Sequence, residues 1–113
     1  MKINILGTKY KILIREELQD VKLEGLNGYC DITTKEIVIR NFKKIEDPKV
    51  LGNLEELYKT TLRHEIIHAF LYESGLYASS NDIEAWATNE EMVDWLAIQF
   101  PKIIKVFIEA NAL

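Results

Sequence analysis

Apolar and polar residues alternate over roughly the first forty positions and recur at helical spacing after them. Lys2 to Leu6 and Tyr10 to Ile14 are short alternating runs on either side of Gly7-Thr8-Lys9, which predicts a hairpin with glycine at the turn. A more polar bridge, Arg15 to Asn27, leads to Gly28, and its Glu16-Glu17-Leu18 portion is open between coil and a short helical turn. A second hairpin follows: Tyr29 to Ile32, the turn Thr33-Thr34-Lys35, then the β-branched run Glu36 to Arg40.

Asn41 to Pro48 reads as a solvated connector. Asn53 is then a good helix N-cap with Glu56 three residues on, and the helix should run to about Glu73 before Ser74-Gly75 stops it. Glu56, Lys59 and Arg63 share one narrow side, its expected wet face. Leu76 to Asn81 is a loop, Asn81 or Asp82 caps a further helix starting near Ile83, and that helix ends before Pro101. A short apolar helix, Lys102 to Ala110, closes the chain. Trp86 and Trp95 are expected to fill core volume. The whole reads as one α+β domain, residues 1–113, with a small antiparallel sheet of N-terminal hairpins packed on these helices.

Composition changes this picture little. With 48% hydrophobic and 28% charged residues the chain is ordinary globular material. A net charge of −4 argues against a nucleic-acid footprint, which would be basic. The amino-terminal apolar run is too short for a secretory signal, and no run reaches the roughly 18 residues of a membrane span. A soluble, cytoplasmic protein is expected. The single cysteine, Cys30, fits a reducing compartment and is read as a small buried residue; a thiolate that blocks a metal is the minor alternative.

The chemistry concentrates in His64-Glu65-Ile66-Ile67-His68, which holds both histidines of the chain. Two histidines four residues apart on a helix lie about 40° apart around its axis, one turn above the other, so two imidazoles can converge on one ion. Glu65 projects about 100° away from His64, where it can stand beside the metal without binding it, as a general base for water must. Incidental histidines in an apolar helix are the bland alternative. Chance would then have to place both at the one chelating spacing with Glu directly after the first.

Catalytic zinc needs a third protein ligand and one open position. No His or Cys follows His68, so the third ligand must be a carboxylate. In a helix from Ile83, the residues Ile83, Trp86, Ala87, Glu90, Val93, Asp94 and Ala97 fall in one stripe about 120° wide, which puts Glu90 and Asp94 in the middle of an apolar face. Carboxylates are rarely buried there unless paired or metal-bound. Glu91 points off the stripe. Glu90 is therefore the expected ligand, and Asp94, one turn on, is expected behind it, orienting His64 through its other ring nitrogen.

His64-Glu65-x-x-His68 followed by Asn89-Glu90-x-x-x-Asp94 resembles the gluzincin metallopeptidases, the clan of thermolysin. At this length the chain is most similar to the minimal single-domain minigluzincins and to small phage-type zinc metallopeptidase-like proteins. The likeness implies a zincin-like fold, Zn2+ on His64, His68 and Glu90, Glu65 as the catalytic base, and Asp94 as a supporting residue. It implies a zinc-dependent metalloendopeptidase in which a Glu65-activated, zinc-bound water hydrolyses a peptide bond. The substrate would be a protein or peptide, held along the edge of the strand Glu36 to Arg40. The motifs cover about two helices, and the chain shows no second domain with the family's substrate-polarising His or Tyr. Tyr72 and Tyr77 are the nearby hydroxyls nominated to stabilise a developing oxyanion. A latent or weakly active zinc-binding regulatory protein of phage or prokaryotic origin is the alternative, and a metal-free structural domain a third.

Overall fold

A computed structural model of the chain describes residues 1–44, 52–79 and 89–111. The first hairpin pairs β1 (Lys2–Ile5) with β2 (Thr8–Arg15), Ile3 opposite Tyr10 and Ile5 opposite Thr8. Its turn is Leu6-Gly7, with φ of 50° and 94°, the two positive values that a type I′ turn requires. Thr8 and Lys9, expected in the turn, belong to β2. The second hairpin pairs β3 (Gly28–Asp31) with β4 (Glu36–Arg40). Asp31 closes it: Oδ1 accepts the backbone N–H groups of Thr33 and Thr34 at 2.9 and 3.2 Å.

The hairpins do not join into an antiparallel sheet. β4 lies parallel to β2, Ile12 beside Ile37 and Ile14 beside Ile39, so the sheet is mixed with order β1-β2-β4-β3. The reason is burial. Ile37, Val38 and Ile39 are all fully buried, an apolar run covered on both faces, and a strand so enclosed is paired along both edges. One face packs on a helix: Tyr10, Ile12, Ile37 and Ile39 form the core with Ile5, Phe42 and Ala69. Val38 and Arg40 point to the other face. There Arg40 donates to the backbone carbonyls of Leu23 and Leu26 and pairs with Glu17, tying the polar bridge down. Within that bridge Val21–Leu23 is a 3-10 turn with Leu23 fully buried.

This order corrects one expectation directly. Both edges of β4 are already paired, so Glu36 to Arg40 has no free edge to offer a peptide. Among the described residues the sheet ends instead at β1 and β3.

Helix α1 (Leu54–Glu73) has the expected bounds. Asn53 Oδ1 accepts the N–H of Glu56 at 3.1 Å, and Gly75, at φ 84°, ends the helix with the N–H of Ser74 bonded to Phe70 O at 2.9 Å. The Glu56 carboxylate turns to Arg63 instead of back to the cap. Leu76–Ser79, expected as loop, is a single helical turn, α2. Phe42–Lys44 is a 3-10 turn with Phe42 buried, and the rest of the connector, Pro48 included, lies outside the described residues.

Helix α3 (Glu90–Glu109) begins later than expected and ends later. Asn89 starts it: its side chain accepts the N–H of Met92 at 2.9 Å and its carbonyl the N–H of Val93 at 3.0 Å. Glu90 and Glu91 then occupy the first turn, where the helix dipole favours carboxylates. The expected caps Asn81 and Asp82, with Ile83, Trp86 and Ala87, lie outside the described residues. Pro101 sits inside α3 and does not divide it into two helices. Trp95 is 56% exposed, not core. Among the described residues no helix is long and apolar enough to cross a membrane.

Candidate metal centre

Helices α1 and α3 run antiparallel where they touch, because Glu90 meets His64 and His68, Asp94 meets His64, and Ala97 meets Arg63. The first turn of α3 is thereby laid across the middle of α1. His64 Nε2 lies 2.9 Å from Glu90 Oε2, His68 Nε2 lies 3.0 Å from Glu90 Oε1, and the two Nε2 atoms are 3.0 Å apart. Ligand atoms of all three residues fall within 4.8 Å of one another, an arrangement that could hold a metal ion. The donor set suits one. A tetrahedral ion with bonds of about 2.0–2.1 Å spaces neighbouring ligand atoms by about 3.3 Å, close to these separations.

Asp94 takes the remaining nitrogen of the first histidine. His64 Nδ1 lies 2.6 Å from Asp94 Oδ1. A proton held on Nδ1 by the carboxylate leaves the Nε2 lone pair directed at Glu90 and His68. For His68, burial lowers the pKa below the ordinary imidazole value, against the opposing pull of Glu90. Neutral imidazole is the ligating form.

Glu65 lies on the same helix but is turned inward. It is 6% exposed, one of the two buried polar side chains among the described residues, the other being Thr61. Burial pushes its carboxyl up to about 7, with the charges of Glu90 and Asp94 adding to the effect and His64 opposing it. A carboxyl that exchanges a proton near neutrality suits general acid–base work.

Glu90 and Asp94 are not buried as the apolar stripe predicts. Their side chains are 68% and 64% exposed, and the buried positions of this stretch among the described residues are Val93 and Ala97. The two carboxylates share the side of α3 that faces α1, but at its rim. Glu91 is also exposed and makes no contact with either histidine among the described interactions.

A cavity of about 380 Å3 opens beside this cluster. His64, Glu65, His68 and Glu90 line its floor, and Gly28 to Cys30 of the edge strand, Tyr72 and Tyr77 also line it. The tyrosine rings lie 5.5 Å apart, and Lys35 Nζ sits 4.6 Å from the Tyr72 ring centre. Lys35 is anchored by Glu73 at 2.6 Å, which also accepts from the Tyr10 hydroxyl at 2.8 Å. Cys30 is half-buried and its thiol is pushed up to about 12, chiefly by burial, so it stands in the wall as a neutral thiol.

Sequence reasoning passed over β3 as the site's wall and Gly28 as what lets it close in. A Cβ on Gly28 would stand 2.8 Å from Val38 O and 3.1 Å from Thr61 Cγ2, a methyl on α1 one turn before Glu65. Glycine lets the strand lie against α1. The usable signal was the glycine itself at the start of a strand, where it commonly marks a close backbone approach. No family model, no curated protein and no solved structure matches the chain.

Proposed function

We propose that this protein is a zinc-dependent peptidase. His64, His68 and Glu90 would hold the ion, and Asp94 would orient His64. When bound, zinc supplies Lewis acidity, making water a nucleophile near neutral pH and polarising a carbonyl. The observation that carries the reading is Glu65: a buried carboxyl with a near-neutral pKa, on the same helix as the paired histidines and at the floor of the same open cavity. A purely structural zinc site has no use for such a group and favours a closed set of four protein ligands.

Glu65 would take the proton of the attacking water and return it to the leaving amine. An extended peptide would lie along the edge of β3 left unpaired among the described residues, in main-chain register with Gly28–Asp31 and over the cavity floor. Tyr72 and Tyr77, which also line the cavity, remain the nominated donors for the developing oxyanion. One observation favours the second reading, a latent zinc-binding regulatory protein: both histidines of the chain are spent as ligands, leaving none to polarise the substrate.

The test is a proteome-wide search for peptides cut by the zinc-loaded protein but not by its Glu65→Gln variant. Cleavages confined to the unmodified protein support the peptidase. Zinc bound stoichiometrically by both proteins with no difference in cleavage would favour the regulatory reading.

A further inference from the structure

We propose that Arg63 is a positioning residue: it sets Glu90 and Asp94 against the two histidines by gripping a backbone carbonyl that Pro101 leaves free. The inference rests on the metal-site reading above and adds the device that fixes the distance between the two ligand-bearing helices. Proline has no N–H, so in α3 the carbonyl of Ala97, four residues before Pro101, has no helical donor at its usual place. Ala97 is fully buried, where an unpaired carbonyl is costly. Arg63 supplies the missing donor from the other helix, with Nε 2.6 Å from Ala97 O.

The grip is held at both ends. Arg63 Nη2 also bonds Glu56 Oε1 at 3.1 Å and Thr60 Oγ1 at 3.0 Å, so the guanidinium is fixed on its own helix before it reaches across. In sequence it stands next to His64. On the opposite helix Ala97 lies three residues beyond Asp94 and seven beyond Glu90, so the clamp sits about 10 Å up the axis from the third ligand. Glu90, Asp94, Ala97 and Pro101 fall within about 60° of one another around the helix, on the side turned to α1. The carboxylates at the rim are largely exposed and fix little by packing. A charge-assisted bond to a buried carbonyl two turns away gives the interface the register that they need.

The experiment compares zinc affinity, by competition with a chromophoric chelator, with the melting temperature of the metal-free protein. It uses the full chain as wild type, Arg63→Ala, Pro101→Ala and the double variant. Arg63→Ala is expected to lower both quantities, zinc affinity by about tenfold, the lower end for a residue that orients ligands. Adding Pro101→Ala returns an N–H to the Ala97 carbonyl from within α3. The double variant is therefore expected to regain melting temperature but not zinc affinity. Recovery of both, or unchanged zinc affinity in Arg63→Ala, would overturn the positioning role. A wild type that binds no zinc would overturn the metal-site reading itself, and this inference with it. Should Arg63→Ala fail to fold, the double variant and Arg63→Lys carry the comparison. Arg63→Lys has one donor head in place of a fork and is expected to fold but bind zinc more weakly than wild type.

Discussion

His64 Nδ1 lies 2.6 Å from Asp94 Oδ1, across the interface between α1 and α3. Because that bond fixes which ring nitrogen carries the proton, it links a largely exposed carboxylate to the coordinating ability of a histidine. Asp94→Asn keeps the shape but can present an N–H where an acceptor is needed. Zinc affinity is expected to fall by about 10–100-fold. The melting temperature of the metal-free protein should change little, since the side chain is 64% exposed. Chelator competition and a thermal melt on the same samples check this. An affinity equal to wild type would remove Asp94 from the site.

Glu90, the proposed third ligand, can be separated from its neighbour. Glu90 reaches both imidazoles, at 2.9 and 3.0 Å, whereas Glu91 reaches neither. Glu90→Ala should weaken zinc binding far more than Glu91→Ala, measured by isothermal titration of the two variants. The reverse order would move the ligand by one residue.

Glu65 makes a pH prediction whose sign follows from burial. Its folded pKa, about 7, is raised above the ordinary 4.5. The protonated carboxyl is thus favoured by folding: the stabilisation is complete below about pH 4.5 and is lost as pH rises through about 7. Its full size is about 3 kcal/mol. Glu65→Gln carries no such charge. The metal-free variant should therefore be more stable than metal-free wild type at pH 8, and the gap should close toward pH 5. His68 runs the other way, since burial depresses its pKa and protonation in acid opposes folding. Taking the difference between the two proteins cancels that contribution. Equal denaturant midpoints at pH 8 would contradict the buried, charged carboxylate.

Gly28 tests how closely the edge strand must approach. An added Cβ at 2.8 Å from Val38 O cannot be accommodated by a side-chain rotation, because the obstacle is backbone. Gly28→Ala should cost about 1–3 kcal/mol, read from the urea midpoint of the metal-free protein. An unchanged midpoint would show that β3 stands off from the Val38 carbonyl and the Thr61 methyl.

The parts of this fold that were legible in the sequence are those set by local chemistry. Asn53 at one end of α1 and Ser74-Gly75 at the other mark its bounds because capping is a matter of a few adjacent residues. The histidine pair was legible for the same reason: both residues sit on one helix, one turn apart. What failed depended on partners distant in sequence. Nothing local tells Ile37-Val38-Ile39 that its partner strand will be parallel β2, or that β3 rather than β4 will be left at the edge. Pro101 reads locally as a helix end, and Arg63 as a solvated cation. Each is explained only by the other helix, where the freed carbonyl and the guanidinium meet. The exposure of Glu90 and Asp94 was misjudged because a helical stripe specifies which side faces a neighbour, not how far that neighbour extends.

X-ray absorption at the zinc edge of the loaded protein counts and identifies the atoms bound to the ion, and so reads the site of two histidines and one carboxylate itself. The expected result is two imidazole nitrogens with oxygen completing the shell, no sulfur, and loss of one imidazole in His68→Ala. A sulfur scatterer, or a shell without imidazole, would contradict it.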